Sequence, residues 1–211
     1  MVGDSAAVYL AMGAFFGLTA GISPGPLLAL VISETLKHNR KEGFKIAVAP
    51  LITDLPIIFT TYLLFSKFSK YNLILAVISF LGGLYFLYLG IETTKTEPHK
   101  YEITAGKINT LRKGIVANFL NPNPYIFWFT AGIPTAYRAF NISITTAILY
   151  FLLFYIMLTG SKICVAILAE KSRNFLKARV YSTLMKILGA VLIFFALMFI
   201  YDGIRIVSEM S

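Results

Sequence analysis

The chain of 211 residues has one cysteine and two histidines. A lone Cys164 can form no intrachain disulfide and offers no second thiol for redox relay or metal capture, while His38 and His99 both fall between apolar stretches. Zinc, copper and thiol chemistry therefore have little to stand on, and neither a metal nor a cofactor is expected. Charge is also scarce: only 14% of residues are charged, ten of them acidic. With 57% hydrophobic residues and a mean hydropathy of +0.75, that scarcity excludes a water-soluble domain and leaves a polytopic membrane protein.

Six apolar stretches come close to the roughly 20 residues needed to cross a bilayer: 6–33, 44–65, 73–91, 115–135, 142–169 and 184–206. The first is not preceded by basic residues and is interrupted by Pro24 and Pro26, so it is read as a retained span and not a cleaved signal.

The net charge of +9 would suggest nucleic acid in a soluble protein, but here its distribution is one-sided. Lys37, Arg40, Lys41 and Lys45 flank the first connection. Lys95, Lys100, Lys107, Arg112 and Lys113 flank the third, and Lys171, Arg173, Lys177, Arg179 and Lys186 the fifth. These are 14 of the 19 basic residues, against Lys67, Lys70, Arg138 and Arg205 on the other side. The positive-inside rule then places the odd connections in the cytoplasm and both termini outside, in a cell membrane. The partner is the lipid bilayer; no nucleic acid is expected.

Two of the spans are broken by paired prolines, Ser23-Pro24-Gly25-Pro26 in the first and Asn121-Pro122-Asn123-Pro124 in the fourth. Proline removes a backbone donor and clashes with the preceding turn, so a mid-membrane break survives only where freed carbonyls meet protein, water or ligand. Breaks at corresponding places in two halves point to a transporter's substrate site. The fold expected is therefore all-α: six transmembrane helices in two inverted three-helix repeats, with the first and fourth helices broken. The single domain divides into a first repeat at 1–91, a cytoplasmic linker at 92–112 and a second repeat at 113–211. Phe80-Leu81-Gly82-Gly83-Leu84-Tyr85 in the third span and Ile187-Leu188-Gly189-Ala190-Val191-Leu192 in the sixth share one pattern of small and apolar residues. That match aligns Gly82 with Gly189.

Counting inward at ~1.5 Å per residue, Asp54, Asn121, Pro122, Lys162 and Pro24 all lie roughly 12 to 15 Å deep, in four different spans. Asp54 is the only acid well inside a span, where an ionised carboxylate costs at least ~2.5 to 3.5 kcal/mol on insertion scales. It should face a cavity or a partner, binding a substrate amine or exchanging a proton in each cycle. A purely structural reading pairs it with Lys162, an ion pair joining spans two and five. Lys162 either snorkels toward the cytoplasmic face or holds a substrate carboxylate in the cavity. At the breaks, helix ends present amide donors and carbonyl acceptors. Asn118, Asn121 and Asn123 add side-chain amides, and Thr53, Thr159 and Ser161 add hydroxyls, although single hydroxyls in a span mostly bond their own helix. Such a site suits a zwitterion. The expected substrate-binding or ion-binding set is thus Ser23, Pro24, Gly25, Pro26, Asp54, Asn118, Asn121, Pro122, Asn123 and Lys162. Gly13, Gly17, Gly21 and Gly25 recur every fourth residue; they are read first as an intramolecular packing face and second as a homodimer face.

These residues resemble the LysE/RhtB family of amino-acid exporters. The resemblance rests on Ser23-Pro24-Gly25-Pro26 with Gly43 after it, on Asp54, on Gly82-Gly83-Leu84-Tyr85 through Leu89-Gly90, on Gly114 through Asn118 to Asn121-Pro122, and on Gly189. It implies a six-span secondary carrier exporting amino acids or similar small metabolites, driven by an ion gradient of protons or sodium. Two positions depart from the pattern: Asn123 stands where the family often has lysine, and Lys162 is not part of it. The alternative within transport is a metal or inorganic-ion exporter of the same superfamily, which should show several intramembrane acids, histidines or cysteines. An intramembrane enzyme would need a nucleophile and a base at one depth, and neither histidine lies inside a span. An assembly protein would leave the aligned polar layer as a destabilisation without purpose.

Overall fold

A computed structural model of the chain describes residues 5–64, 68–96, 109–173 and 178–209. Every regular element among them is helical. His99, Pro98, Lys100 and Lys107 of the expected linker, with Lys67 and Lys177, lie outside the described residues.

The first span is two helices, α1 (Ala6–Ile22) and α2 (Pro26–Lys37), meeting at a 58° bend. Gly25 caps α2 in an extended conformation, and Pro26 starts it at the first helical position, where a missing N–H costs nothing. The second span begins earlier than its apolar stretch. α3 (Arg40–Ala47), capped by the Asn39 side chain, runs through Val48 into α4 (Ala49–Leu64), which contains Pro56. The long α5 (Phe68–Thr94) follows.

The fourth span is the most fragmented. It consists of α6 (Thr110–Phe119), a break at Leu120 and Asn121, the short α7 (Pro122–Phe127), a π-helical turn (Trp128–Gly132) and α8 (Ile133–Ile142). Asn121 caps α7 by accepting from the Asn123 amide, and Pro122 takes the first helical position as Pro26 does in α2. Pro134 has no N–H and crowds the carbonyl four residues before it, which accounts for the widened turn just ahead of it. Two uninterrupted helices, α9 (Ile144–Arg173) and α10 (Ala178–Ser208), complete the chain. Four helices are long and apolar enough to cross a membrane, and five if the bent α1–α2 pair counts as one span. The fragmented fourth segment does not pass that test among the described residues, because its breaks leave no helix of sufficient length.

Glycine sets the two largest helix contacts. α1 packs on α9 in parallel, with Gly13 against Tyr150, Gly17 against Phe154 and Gly21 against Leu158 and Ser161, each approaching a backbone carbonyl of α9 too closely to admit a Cβ. The glycine stripe is thus an internal face, and Gly25, in the break, is not part of it: a Cβ there would meet only the Ser23 carbonyl at 3.8 Å. α5 packs on α10 in antiparallel fashion, with Gly83 against Ala196 and Ile200, Gly90 against Gly189, and Gly203 against Ala76. Large apolar side chains such as Phe15, Leu55, Phe59, Phe194 and Leu197 face outward, as they should toward lipid.

The basic end of the bundle is tied by part-buried ion pairs. The Glu34 carboxylate, 1% exposed, lies 3.0 Å from Lys113 Nζ and 3.5 Å from Lys37 Nζ. Both lysines also reach Glu92, at 3.0 and 3.2 Å. His38 ends α2 with its Nε2 3.7 Å from Glu34, and Arg173 donates to the His38 carbonyl. The network joins α2, α5 and α6. Lys113→Met should lower stability by roughly 1–3 kcal/mol, because a buried carboxylate keeps only part of its compensation. Thermal melting of the purified variant in detergent measures this.

Candidate functional site: a polar cavity between the two breaks

The breaks at Ser23–Gly25 and Leu120–Asn121 open onto one cavity of about 490 Å³. Its wall includes Ser23, Pro24, Gly25, Pro26, Asp54, Asn118, Asn121, Asn123 and Lys162. Of the residues expected from sequence, only Pro122 is set aside. It is buried under the break and borders a separate cavity of about 210 Å³. Four of the apolar segments thus contribute polar groups to one place.

Asp54 is 3% exposed. Its Oδ1 accepts a hydrogen bond from Asn118 Nδ2 at 3.2 Å, and the same amide donates to Thr53 Oγ1 at 2.6 Å. Thr53 in turn donates to the Ala49 carbonyl of its own helix. The Trp128 indole and the Tyr155 hydroxyl lie near the Asp54 carboxylate. The acid is therefore held by neutral donors. Among the described residues it forms no direct ion pair, so the expected structural bridge to Lys162 is not made.

Lys162 is 2% exposed and does not snorkel. Its Nζ donates to the carbonyls of Ala20 at 2.9 Å and Gly21 at 3.0 Å, in the last turn of α1. A helix end leaves its final carbonyls without partners and carries partial negative charge, so an ammonium there satisfies both needs. The first break thus competes with Asp54 for Lys162 and holds it. The second break is closed by neutral groups: the Tyr125 hydroxyl donates to the Phe119 carbonyl at 3.0 Å, and the Asn121 amide donates to the Asn118 carbonyl at 3.2 Å.

The hydroxyls are less involved. Ser161 donates to Leu158 of its own helix, as expected, and the buried Thr159 hydroxyl has no partner. Several wall residues were not singled out from sequence: Pro50, Leu27, Leu28, Phe127, Trp128, Phe154 and Phe195. Pro50 and the Ile133-Pro134 pair were visible as prolines inside apolar runs, but an aromatic wall residue is indistinguishable in sequence from a lipid-facing one. Phe127, Trp128 and Phe154 pack on one another with ring centroids 5.2 to 5.4 Å apart. They supply the apolar part of the cavity wall.

A helical bundle with apolar flanks and a single amphipathic cavity between interrupted helices has the build of a membrane carrier. The chain matches the family described as LysE type translocator over residues 18–203 and belongs to it. It is also similar to a protein of Bacillus subtilis (strain 168) named "Putative amino acid efflux protein YcgF", with 25% identity over 195 residues, covering 90% of this chain and 93% of that one. No solved structure matches. The chain is thus a multi-pass membrane transporter.

Proposed function

We propose that this transporter exports amino acids or similar small zwitterionic metabolites across the cell membrane, coupled to an ion gradient and working by alternating access. One observation carries the reading: one cavity is lined by a carboxylate, an ammonium, three carboxamides and aromatic rings. A zwitterion needs an acceptor for its amine and donors for its carboxylate, and its side chain needs an apolar surface. The name of the Bacillus relative supports the same substrate class.

Two inverted repeats, the second made of the spans from α6 onward, give the mechanism its frame, and the helix contacts support them. Gly83 meets Ala196 and Ile200, while Gly189 meets Gly90 and Thr94. Adding 106 to each number of the α5 set gives its α10 counterpart, so Gly83 and not Gly82 is the partner of Gly189. Antiparallel packing alone produces a local two-fold, so the second correspondence weighs more. Span two sends Asp54 to the last turn of the helix before the second break, and span five sends Lys162 to the last turn of the helix before the first. In this frame the basic end is cytoplasmic and both termini are outside. Leu30, Val31, Ile46, Ala47 and Ala117, all nearly inaccessible, fill the bundle between the cavity and that end. Opening toward the cytoplasm then requires separation of α2 from α3 and α6, including the Glu34–Lys113 pair.

The test is efflux of preloaded labelled amino acids from proteoliposomes, with and without an imposed pH gradient. Gradient-accelerated efflux of at least one amino acid is expected. No efflux of any amino acid, together with movement of a metal or inorganic ion, would favour the other branch of the superfamily.

A further inference from the structure

We propose that Lys162 is a tethered cation: its ammonium fills a carbonyl-lined cation position at the end of α1, so the transport cycle uses no bound sodium ion. The inference rests on the carrier reading above and narrows its coupling ion. Interrupted helices in carriers expose carbonyls that can coordinate a monovalent cation, since a helix C-terminus gathers several orphan acceptors with partial negative charge. In this chain the accounting is nearly complete without such an ion. The Thr19 carbonyl accepts from the Ser23 amide at 2.9 Å, and those of Ala20 and Gly21 accept from Lys162.

The side chain comes from the middle of α9, the helix held on α1 by the glycine stripe. The charge is thus anchored where the first span bends, with Asp54 as the opposite charge in the same cavity wall. A lysine that merely filled space would not need to direct its ammonium at two carbonyls of another helix. A lysine that served as an ion-pair partner would have met Asp54 directly. The geometry found does the work of a coordinated metal cation with a covalent one.

The test compares wild type, Lys162→Ala and Lys162→Met in detergent by thermal melting, in sodium chloride, choline chloride and ethylammonium chloride at equal ionic strength. Wild type should melt at one temperature in sodium and in choline. Lys162→Ala should melt roughly 5 °C or more lower in choline, and ethylammonium, which can place a free ammonium in the vacated space, should recover part of that loss. Lys162→Met, whose side chain refills the space without charge, should lose stability and gain nothing from ethylammonium. Stabilisation of wild type by sodium over choline overturns the proposal, as does a Lys162→Ala protein that melts like wild type or ignores ethylammonium. If Lys162→Ala does not fold, the wild-type comparison and Lys162→Met still decide. None of these readouts depends on amino-acid movement, so a failure here is separable from a failure of the exporter reading, which efflux alone tests.

Discussion

Replacing Asp54 by asparagine stops efflux and leaves the protein folded, with stability unchanged or raised. The asparagine has the same shape, and its carbonyl oxygen can still accept from Asn118 Nδ2, now 3.2 Å from the carboxylate. What it cannot do is carry a charge that comes and goes. Asp54 is 3% exposed and among the described residues has no direct ion-pair partner, so in the ionised state it bears a desolvation cost that the Asn118 amide and the more distant Lys162 charge offset only in part. Removing that charge removes a cost of at least ~2.5 kcal/mol on insertion scales, against a net loss of about 1 kcal/mol for a weaker hydrogen bond from Asn118. The melting temperature in detergent should therefore hold or rise while efflux from proteoliposomes falls to the level of empty vesicles. A stable variant that transports at the wild-type rate would remove Asp54 from the mechanism.

The second large effect concerns the fold. Gly17→Ala should destabilise the protein by about 3 kcal/mol, although alanine is intrinsically the better helix former by ~1 kcal/mol. A Cβ at position 17 would run into the backbone of Phe154, its carbonyl first, and a helix backbone cannot step aside as a side-chain tip can. Relief would require α1 to move off α9, which would also pull the Ala20 and Gly21 carbonyls from Lys162. Gly160→Ala is the matched control. Nothing lies within 4 Å of a Cβ at that position, so propensity acts alone and the variant should be neutral or slightly more stable. Melting curves of the two variants give opposite signs if close backbone approach is what the glycines provide. Equal effects would mean that it is not.

The polar layer was readable from the chain because the membrane is a severe solvent. A carboxylate, a lysine or a proline pair inside an apolar stretch is costly enough to stand out, and helical rise converts its position into a depth. Depth alone brought Pro24, Asp54, Asn121, Pro122 and Lys162 to one level, and all but Pro122 line one cavity. Depth does not give azimuth. The orientation of each residue around its helix decides its partner, and that is why the sequence left Lys162 between the cytoplasmic face, the cavity and Asp54, whereas the structure has it donating to the Ala20 and Gly21 carbonyls. The same gap explains the glycines. Every fourth residue small means a close approach, but only the packed bundle shows that the approach is to α9 and that Gly25 belongs to the break.

The ion pairs at the basic end were hidden for a different reason. By sequence Lys37 and Lys113 are flanking charges that set topology, because each sits at the edge of an apolar run. With Glu34 and Glu92 they become a part-buried network only when α2, α5 and α6 converge. Gly82 and Gly83 show the same limit, since two adjacent glycines are equivalent in sequence and differ by about 100° around the helix. Gly82 faces the Leu120 carbonyl at the second break, and Gly83 faces α10.

By itself, then, the sequence determined that this protein lives in a membrane and where its apolar stretches are interrupted, because hydrophobic transfer and the loss of backbone donors act on each segment separately. Only the tertiary structure decided which group meets which: Asp54 with Asn118, Lys162 with the end of α1, Glu34 with Lys113. Those choices depend on the rotation and approach of whole helices, which packing settles jointly and no single segment encodes.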